Sequence, residues 1–203
     1  MDLHEHRMQE EIMAGQLTPP TPGGISIGSL AQASRHKRRY DALITLEDPR
    51  ARPGDRLRFT MAPRPPHLIL AFEDADSEEF GYATMLPEQM DRILSFGREH
   101  ADGSILIHCF HGVGRSAACG LAILSDRMGP GMEAEAISTL FAIRPTATPN
   151  LIAIAHADAA LDRKGSLIAA LQAHEDATPG FAALRARRHR YALENPSQYA
   201  MRT

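Results

Sequence analysis

Apolar residues fall along this chain in two kinds of pattern. GISIGS (24–29), ALITLE (42–47), HLILAF (67–72) and SILIHC (104–109) are short, nearly continuous apolar runs of strand length, and they predict buried strands. Between and after them the spacing changes to threes and fours. LPEQMDRILSFGREH (86–100) sets Leu86, Met90, Ile93, Leu94 and Phe96 at near-helical intervals, and LAQASRHKRRY (30–40) reads as a helix leading into the second strand. From Ser116 onward the chain turns helical, through SAACGLAILSDRM, MEAEAISTLFAI, PNLIAIAHADAALD and KGSLIAALQAH. DPRARPGDR and EDADSEEFG, each following a strand, read as loops by their Pro, Gly and Asp content. Strands alternating with helices predict an α/β fold: a central, mainly parallel sheet with helices on both faces, and a helical C-terminal half covering one side.

The ends of the chain differ from this middle. GQLTPPTPGG closes a first segment, residues 1–24, expected to be flexible, and His4 and His6 within it read as a solvated terminus. Residues 25–174 form the expected domain. Beyond His174 the composition becomes polar and basic, so 175–203 is expected to be an extension, with ARRHR (186–190) a solvated helix face. At 203 residues the chain can bury a core without disulfides. A net charge of −3 gives no global pull toward nucleic acid or an anionic membrane. MDLHEHRMQEEIM is too charged for a signal peptide, and no uncharged apolar run approaches bilayer length. Two cysteines, Cys109 and Cys119, offer no disulfide framework, and a reducing cytoplasm is the expected compartment.

The candidate chemistry lies at the carboxyl end of SILIHC, in HCFHGVGRSA (108–117). Ligands in open α/β sheets bind beyond the carboxyl ends of the strands. Gly112 and Gly114 permit a backbone that aims successive amides inward, and a helix beginning near Ser116 adds its dipole, together making an anion site. Arg115 supplies a planar fork for two phosphate oxygens. The same field favours the thiolate of Cys109. A sulfur nucleophile at the base of a phosphate cradle implies attack on phosphorus.

His108-Cys109, five residues and then Arg115-Ser116, with Gly112 between, resembles the HCxxGxxR[ST] signature of the cysteine-dependent protein tyrosine phosphatases. The ending GVGRS is similar to the tyrosine-specific members; the short chain and RPTATPN (144–150) resemble the compact dual-specificity-like and bacterial ones. The resemblance covers about residues 25 to 162, with this loop as its one highly specific motif. It implies the phosphatase-like α/β fold, a metal-independent reaction without cofactor, and Cys109 as the nucleophile that forms a phosphocysteine. It implies that Phe110, His111, Gly112, Val113, Gly114 and Arg115 hold the phosphoryl oxygens, that Ser116 bonds the sulfur, and that His108 orients the loop from behind. Asp74, on the loop after HLILAF, fits the family's proton donor to the leaving oxygen, with Asp76 as the other candidate among Glu73, Glu78 and Glu79. The implied partner is a phosphorylated protein, phosphotyrosine first, with other phosphomonoesters open and phosphate or vanadate as inhibitors.

This chain departs from the family pattern in three respects. No Trp-Pro precedes the aspartate, because tryptophan is absent. Phe110 and His111 stand where relatives often have small or acidic residues. KRRY (37–40) is similar to a phosphotyrosine-recognition loop, but its place before the second strand favours the polar end of a helix. Asn150 reads as an N-cap or turn residue bracing the loop, and Cys119 as core. His108, Cys109 and His111 as metal ligands fit less well than an oxyanion loop, and no lysine follows GVG as a nucleotide P-loop requires. Two alternative functions remain, a phosphate-binding module without catalysis and a rhodanese-type sulfurtransferase. A usable aspartate separates catalysis from the first, and the His108–Cys109 pair with the Arg115-Ser116 ending favours phosphate over the second.

Overall fold

A computed structural model of the chain describes residues 16–77 and 81–194. Four strands, β1 (Ile25–Ser29), β2 (Ala42–Glu47), β3 (His67–Ala71) and β4 (Ile105–Cys109), form one sheet in the order β1-β4-β2-β3, and every pairing is parallel. Each strand lies within one residue of the apolar run that predicts it.

Period-two alternation divides the strand side chains between the two faces. Ile25, Ile27, Ala42, Ile44, Leu46, Ile105 and Ile107 join the main core. Leu43 and Leu106 point the other way, into a smaller cluster with Ala33, Tyr40 and Leu57. Helix α1 (Leu30–His36) covers that second face. It starts at a capping box: Gln32 N–H donates to Ser29 Oγ, and Ser29 N–H donates to Gln32 Oε1. Lys37–Arg39 continues it as a 3₁₀ turn, whose Lys37 and Arg38 donate to the carbonyls of Arg58, Met61 and Pro63.

The main face carries α2 (Pro87–Glu99), α3 (Arg115–Met128), α4 (Glu133–Ile143) and α5 (Leu151–Ala160), with α6 (Ser166–Ala177) against α4 and α5. Helix α3 runs through the middle and is buried from Arg115 to Ser125. It is rich in alanine because it is packed on all sides, against the sheet and three helices. Helix α7 (Phe181–Glu194) follows α6, with Phe181 edge-on to Phe141. Among the described residues no helix is long and apolar enough to cross a membrane.

Both ends of the described chain make contacts with the middle. Residues 16–24 make contacts with the domain: the Thr18 carbonyl accepts from Ser26 and Tyr40, and Leu17 packs against the smaller cluster. The boundary after His174 falls inside α6, which continues to Ala177. Within the ARRHR run Ala186, Arg187, His189 and Arg190 are exposed, as a solvated face requires, but Arg188, like Arg185 just before the run, turns inward onto acidic partners. Residues 1–15, with His4 and His6, and residues 195–203 lie outside the described residues, as do Glu78 and Glu79.

Candidate active site

Cys109 ends the central strand β4, paired with Ser29 at the end of β1, and α3 begins six residues later at Arg115. Each carbonyl of the turn between them is bonded from outside. The Phe110 carbonyl accepts from Leu30 N–H, and the His111 and Gly112 carbonyls accept from the Arg144 guanidinium at 3.4 and 2.9 Å. The Val113 carbonyl accepts from Thr148 N–H and the Gly114 carbonyl from Asn150 N–H. In a planar trans peptide the N–H points opposite to the carbonyl. Five carbonyls turned outward therefore turn the amides of residues 111–115 inward, and the loop becomes a ring of donors. One of them, Gly112 N–H, lies 3.2 Å from Cys109 Sγ.

Gly112 is obligatory in this turn. Its φ is +76°, and a Cβ there would lie 2.5 Å from the backbone of Gly28 and Ser29. Ser116 Oγ is 3.3 Å from Cys109 Sγ, so the sulfur sits between a hydroxyl and an amide.

Arg115, like Arg144, is among the largest fully buried side chains of the described residues. Its Nη1 donates to the Phe72 carbonyl (2.7 Å) and its Nη2 to Asp48 Oδ2 (3.1 Å), but its buried Nε–H has no partner among the described residues. A buried guanidinium N–H left unmatched is costly. At the end of a donor ring it fits an oxyanion.

Behind the cysteine, His108 is 1% exposed and its Nδ1 faces the Cys109 carbonyl at 3.4 Å. A carbonyl only accepts, which assigns the proton to Nδ1 and leaves Nε2 to accept from Thr45 Oγ1 (2.7 Å). Thr45 in turn accepts from His67 Nε2 (2.6 Å). Burial pushes both imidazoles down, His108 to about 3 and His67 to about 4, so both are neutral at physiological pH. His108 therefore braces the strand end as a neutral group.

Asp74 is folded against the cradle. A Cβ on Gly114 would collide with its carboxylate, so this glycine makes room for it. Asn150 Nδ2 donates to Asp74 Oδ1 (3.0 Å) and to the Ala75 carbonyl (2.9 Å), while Asn150 Oδ1 caps α5 by accepting from Ala153 N–H. Arg188 Nη2 also donates to Asp74 Oδ1. Burial raises the proton affinity of this carboxyl, but Arg188, Arg115 and Asn150 outweigh it, leaving Asp74 below the ordinary carboxylate range. Asp76 is used differently. Its Oδ1 accepts from Leu151 N–H (2.9 Å) at the start of α5, and its Oδ2 accepts from Arg188 and Arg185.

A cavity of about 180 Å³ opens beside the cysteine, lined by Thr45, Asp48, Arg50, Glu73, Cys109 and Phe110 among others. Phe110 meets the His111 ring edge-on at 4.8 Å. The structure thus gathers Cys109, Arg115, Ser116, His108 and the 110–114 turn into one site, with Asp74 against it. Among the described residues no group of three or more His, Cys, Asp and Glu is arranged to hold a metal ion. Cys119 is buried in α3, and burial pushes its thiol up.

Asp48, Thr45, Arg144 and Arg188 enter the site unexpectedly. Asp48 follows β2 just as Asp74 follows β3, so the rule that points to strand ends extends to it. Arg144 stands in RPTATPN and Arg188 in ARRHR, but neither stretch reveals the role, since each arginine is fixed by a partner more than 30 residues away.

No protein-family model matches the chain, and no curated protein does either. Solved structures do match. Human DUSP28 aligns with a TM-score of 0.54 at 18% identity, over 75% of this chain and 99% of the other. A mouse protein assigned as a dual specificity phosphatase, complexed with zinc tungstate, gives 0.52 at 23%, over 73% and 89%. A human tyrosine phosphatase-like serine/threonine/tyrosine-interacting protein gives 0.52 at 16%, over 68% and 90%. At such identities it is architecture that carries across: this chain has the fold of the cysteine-dependent protein tyrosine phosphatases in their compact, dual-specificity form.

Proposed function

We propose that the protein is a phosphomonoester hydrolase of the protein tyrosine or dual-specificity class, working through a phosphocysteine. The observation that carries this reading is the closed set of outward carbonyl bonds at residues 110–114, which builds an inward donor ring around Cys109. Electrostatic stabilisation by such fixed donors is the main means of accelerating phosphoryl transfer.

In the first step the Cys109 thiolate attacks phosphorus. The ester P–O bond breaks as the S–P bond forms, and Asp74 delivers its proton to the departing oxygen. The ring amides and Arg115 hold the three equatorial oxygens, with Arg115 Nε–H available for one of them. In the second step water attacks phosphorus, Asp74 takes its proton, the S–P bond breaks, and inorganic phosphate leaves. Ser116 Oγ, 3.3 Å from the sulfur, donates to the thiolate that re-forms. Asp74 rather than Asp76 is the acid in this reading, because Asp74 packs on the cradle while both Asp76 oxygens serve α5 and α7.

A fold neighbour described as an interacting protein keeps the phosphate-binding module in view as the second reading. The seated Asp74 favours catalysis over it. The decisive experiment is turnover of phosphotyrosine, phosphoserine and inositol phosphate substrates in EDTA, by the native protein and by Cys109→Ser. The native protein should turn over phosphotyrosine peptides fastest. The serine variant should be inert yet still bind phosphate or vanadate, because the cradle is mostly backbone. Binding without turnover by the native protein would identify the module instead.

A further inference from the structure

The C-terminal helix does something the catalytic reading does not require. Arg188 on α7 bridges two carboxylates, donating from Nη2 to Asp74 and from Nη1 to Asp76 at 2.6 Å. It is itself largely sheltered, with a side chain 14% exposed. Arg185, one turn earlier, donates to Asp76 at 3.3 Å, to the Pro149 carbonyl and to Glu175 of α6. The base of the acid loop is pinched separately: Glu73 N–H donates to the Ala83 carbonyl, and Ala83 N–H donates to Glu73 Oε2. The loop thus has a fixed base, while its acid is held in place by a cation from more than a hundred residues away.

We infer that Arg188 is a positioning residue for the general acid: it seats Asp74 over Gly114 and sets the pH above which the acid loses its proton. The inference rests on the reading of Asp74 as that acid. A carboxylate paired with a sheltered guanidinium gives up its proton easily, yet a general acid must hold one. Two opposing influences act on Asp74. Arg188 and Arg115 draw it toward the ionised form, and burial draws it back. Asp76 beside it and Asp48 across Arg115 add negative charge, Arg185 and Glu175 stand behind Asp76, and Arg115 itself feels the Cys109 sulfur. His189 and Tyr82 line the small pocket that Asp74 and Arg188 share. A phosphate dianion in the cradle offsets Arg115 and returns proton affinity to Asp74, while Arg188, outside the cradle, keeps opposing it. Arg188 therefore makes the acid depend on bound substrate for its proton.

The test is kcat against pH on a phosphotyrosine peptide. An opposite charge in contact with a carboxyl lowers its pKa by about 1–3 units. Arg188→Ala should move the basic limb of the profile up by about one unit or more, and Arg188→Lys by less. Asp76→Asn should move it down, because Arg188 then serves Asp74 alone, while the Asn oxygen still caps Leu151. An ester of a very acidic phenol, which leaves without a proton, should show no such limb in any variant. If Arg188→Ala fails to fold, the lysine and Asp76→Asn variants decide. A basic limb unmoved in the folded variants overturns the inference. Asp74→Asn separates the two failures. If it abolishes the limb while the other variants leave it in place, Asp74 is the acid and only the role of Arg188 is wrong. If it leaves the limb intact, the acid assignment fails and takes this inference with it.

Discussion

The cradle around Cys109 and the loop carrying Asp74 face each other across one site, yet they are held by opposite means. The cradle is a backbone device. Five consecutive carbonyls are bonded from outside, three of them by backbone N–H groups, and its turn depends on a glycine at φ +76°. The acid loop is a side-chain device, in which Asn150 and Arg188 converge on Asp74 from α5 and α7. Backbone bonds fix geometry and are indifferent to pH and salt. Ion pairs and side-chain amides fix it conditionally. In the proposed reaction the cradle is therefore the more fixed partner and the proton donor the adjustable one.

That contrast can be broken at either side, and the acid side carries the larger effect. General acid catalysis contributes typically 10²–10⁴-fold. Asp74→Asn should lower kcat on phosphotyrosine peptides by about that factor, with much less loss on esters of very acidic phenols. Equal losses on both substrates would mean that the substitution damaged the cradle rather than proton transfer.

The cradle side is tested most sharply through Arg144, because its side chain alone bonds two of the five carbonyls. Arg144→Met strips the His111 and Gly112 carbonyls of those bonds without touching a group that meets substrate. Misplacement of about 1 Å in a reacting geometry costs on the order of 10²-fold, so kcat/KM should fall by roughly that on every ester alike. Unsatisfied carbonyls should also lower stability by about 3 kcal/mol, measured by urea unfolding. A loss confined to poor leaving groups would assign Arg144 to the acid loop instead.

The same contrast explains what was legible in the chain. The strands follow from apolar runs, and Cys109, Arg115, Ser116 and the glycines follow from one contiguous motif, because a backbone cradle must be encoded locally. Asp74 was accessible through topology, since parallel strands bring their carboxyl ends to one edge. Arg144 and Arg188 were not, because an arginine in a polar stretch looks alike whether it is solvated or buried against a distant carboxylate. The composition of 175–203 suggested an extension for that reason. Only the fold shows that α7 reaches back to residues 74 and 76.

The smallest predicted effect concerns His108, a titratable side chain built into the back of the cradle. It bonds Thr45 and faces the Cys109 carbonyl, and burial holds it neutral, with its pKa pushed down to about 3. A histidine that binds its proton more weakly folded than unfolded favours the folded state only while both forms are neutral. As pH falls below the unfolded value of about 6.5, the unfolded chain protonates first and stability declines. The decline continues until the folded form also protonates, near 3. Between pH 6.5 and 5 the contribution of His108 is about 2 kcal/mol. Asp74 adds nothing in that window, because a depressed carboxyl loses its stabilisation only below the ordinary carboxylate range. His67, held at about 4 by burial, adds a decline of the same sign. Urea unfolding at a series of pH values should thus show a wild-type slope that His108→Asn reduces by about 2 kcal/mol across this interval. If the two slopes coincide, His108 protonates equally well in the folded chain, and the cradle is not the pH-indifferent partner of the adjustable acid loop.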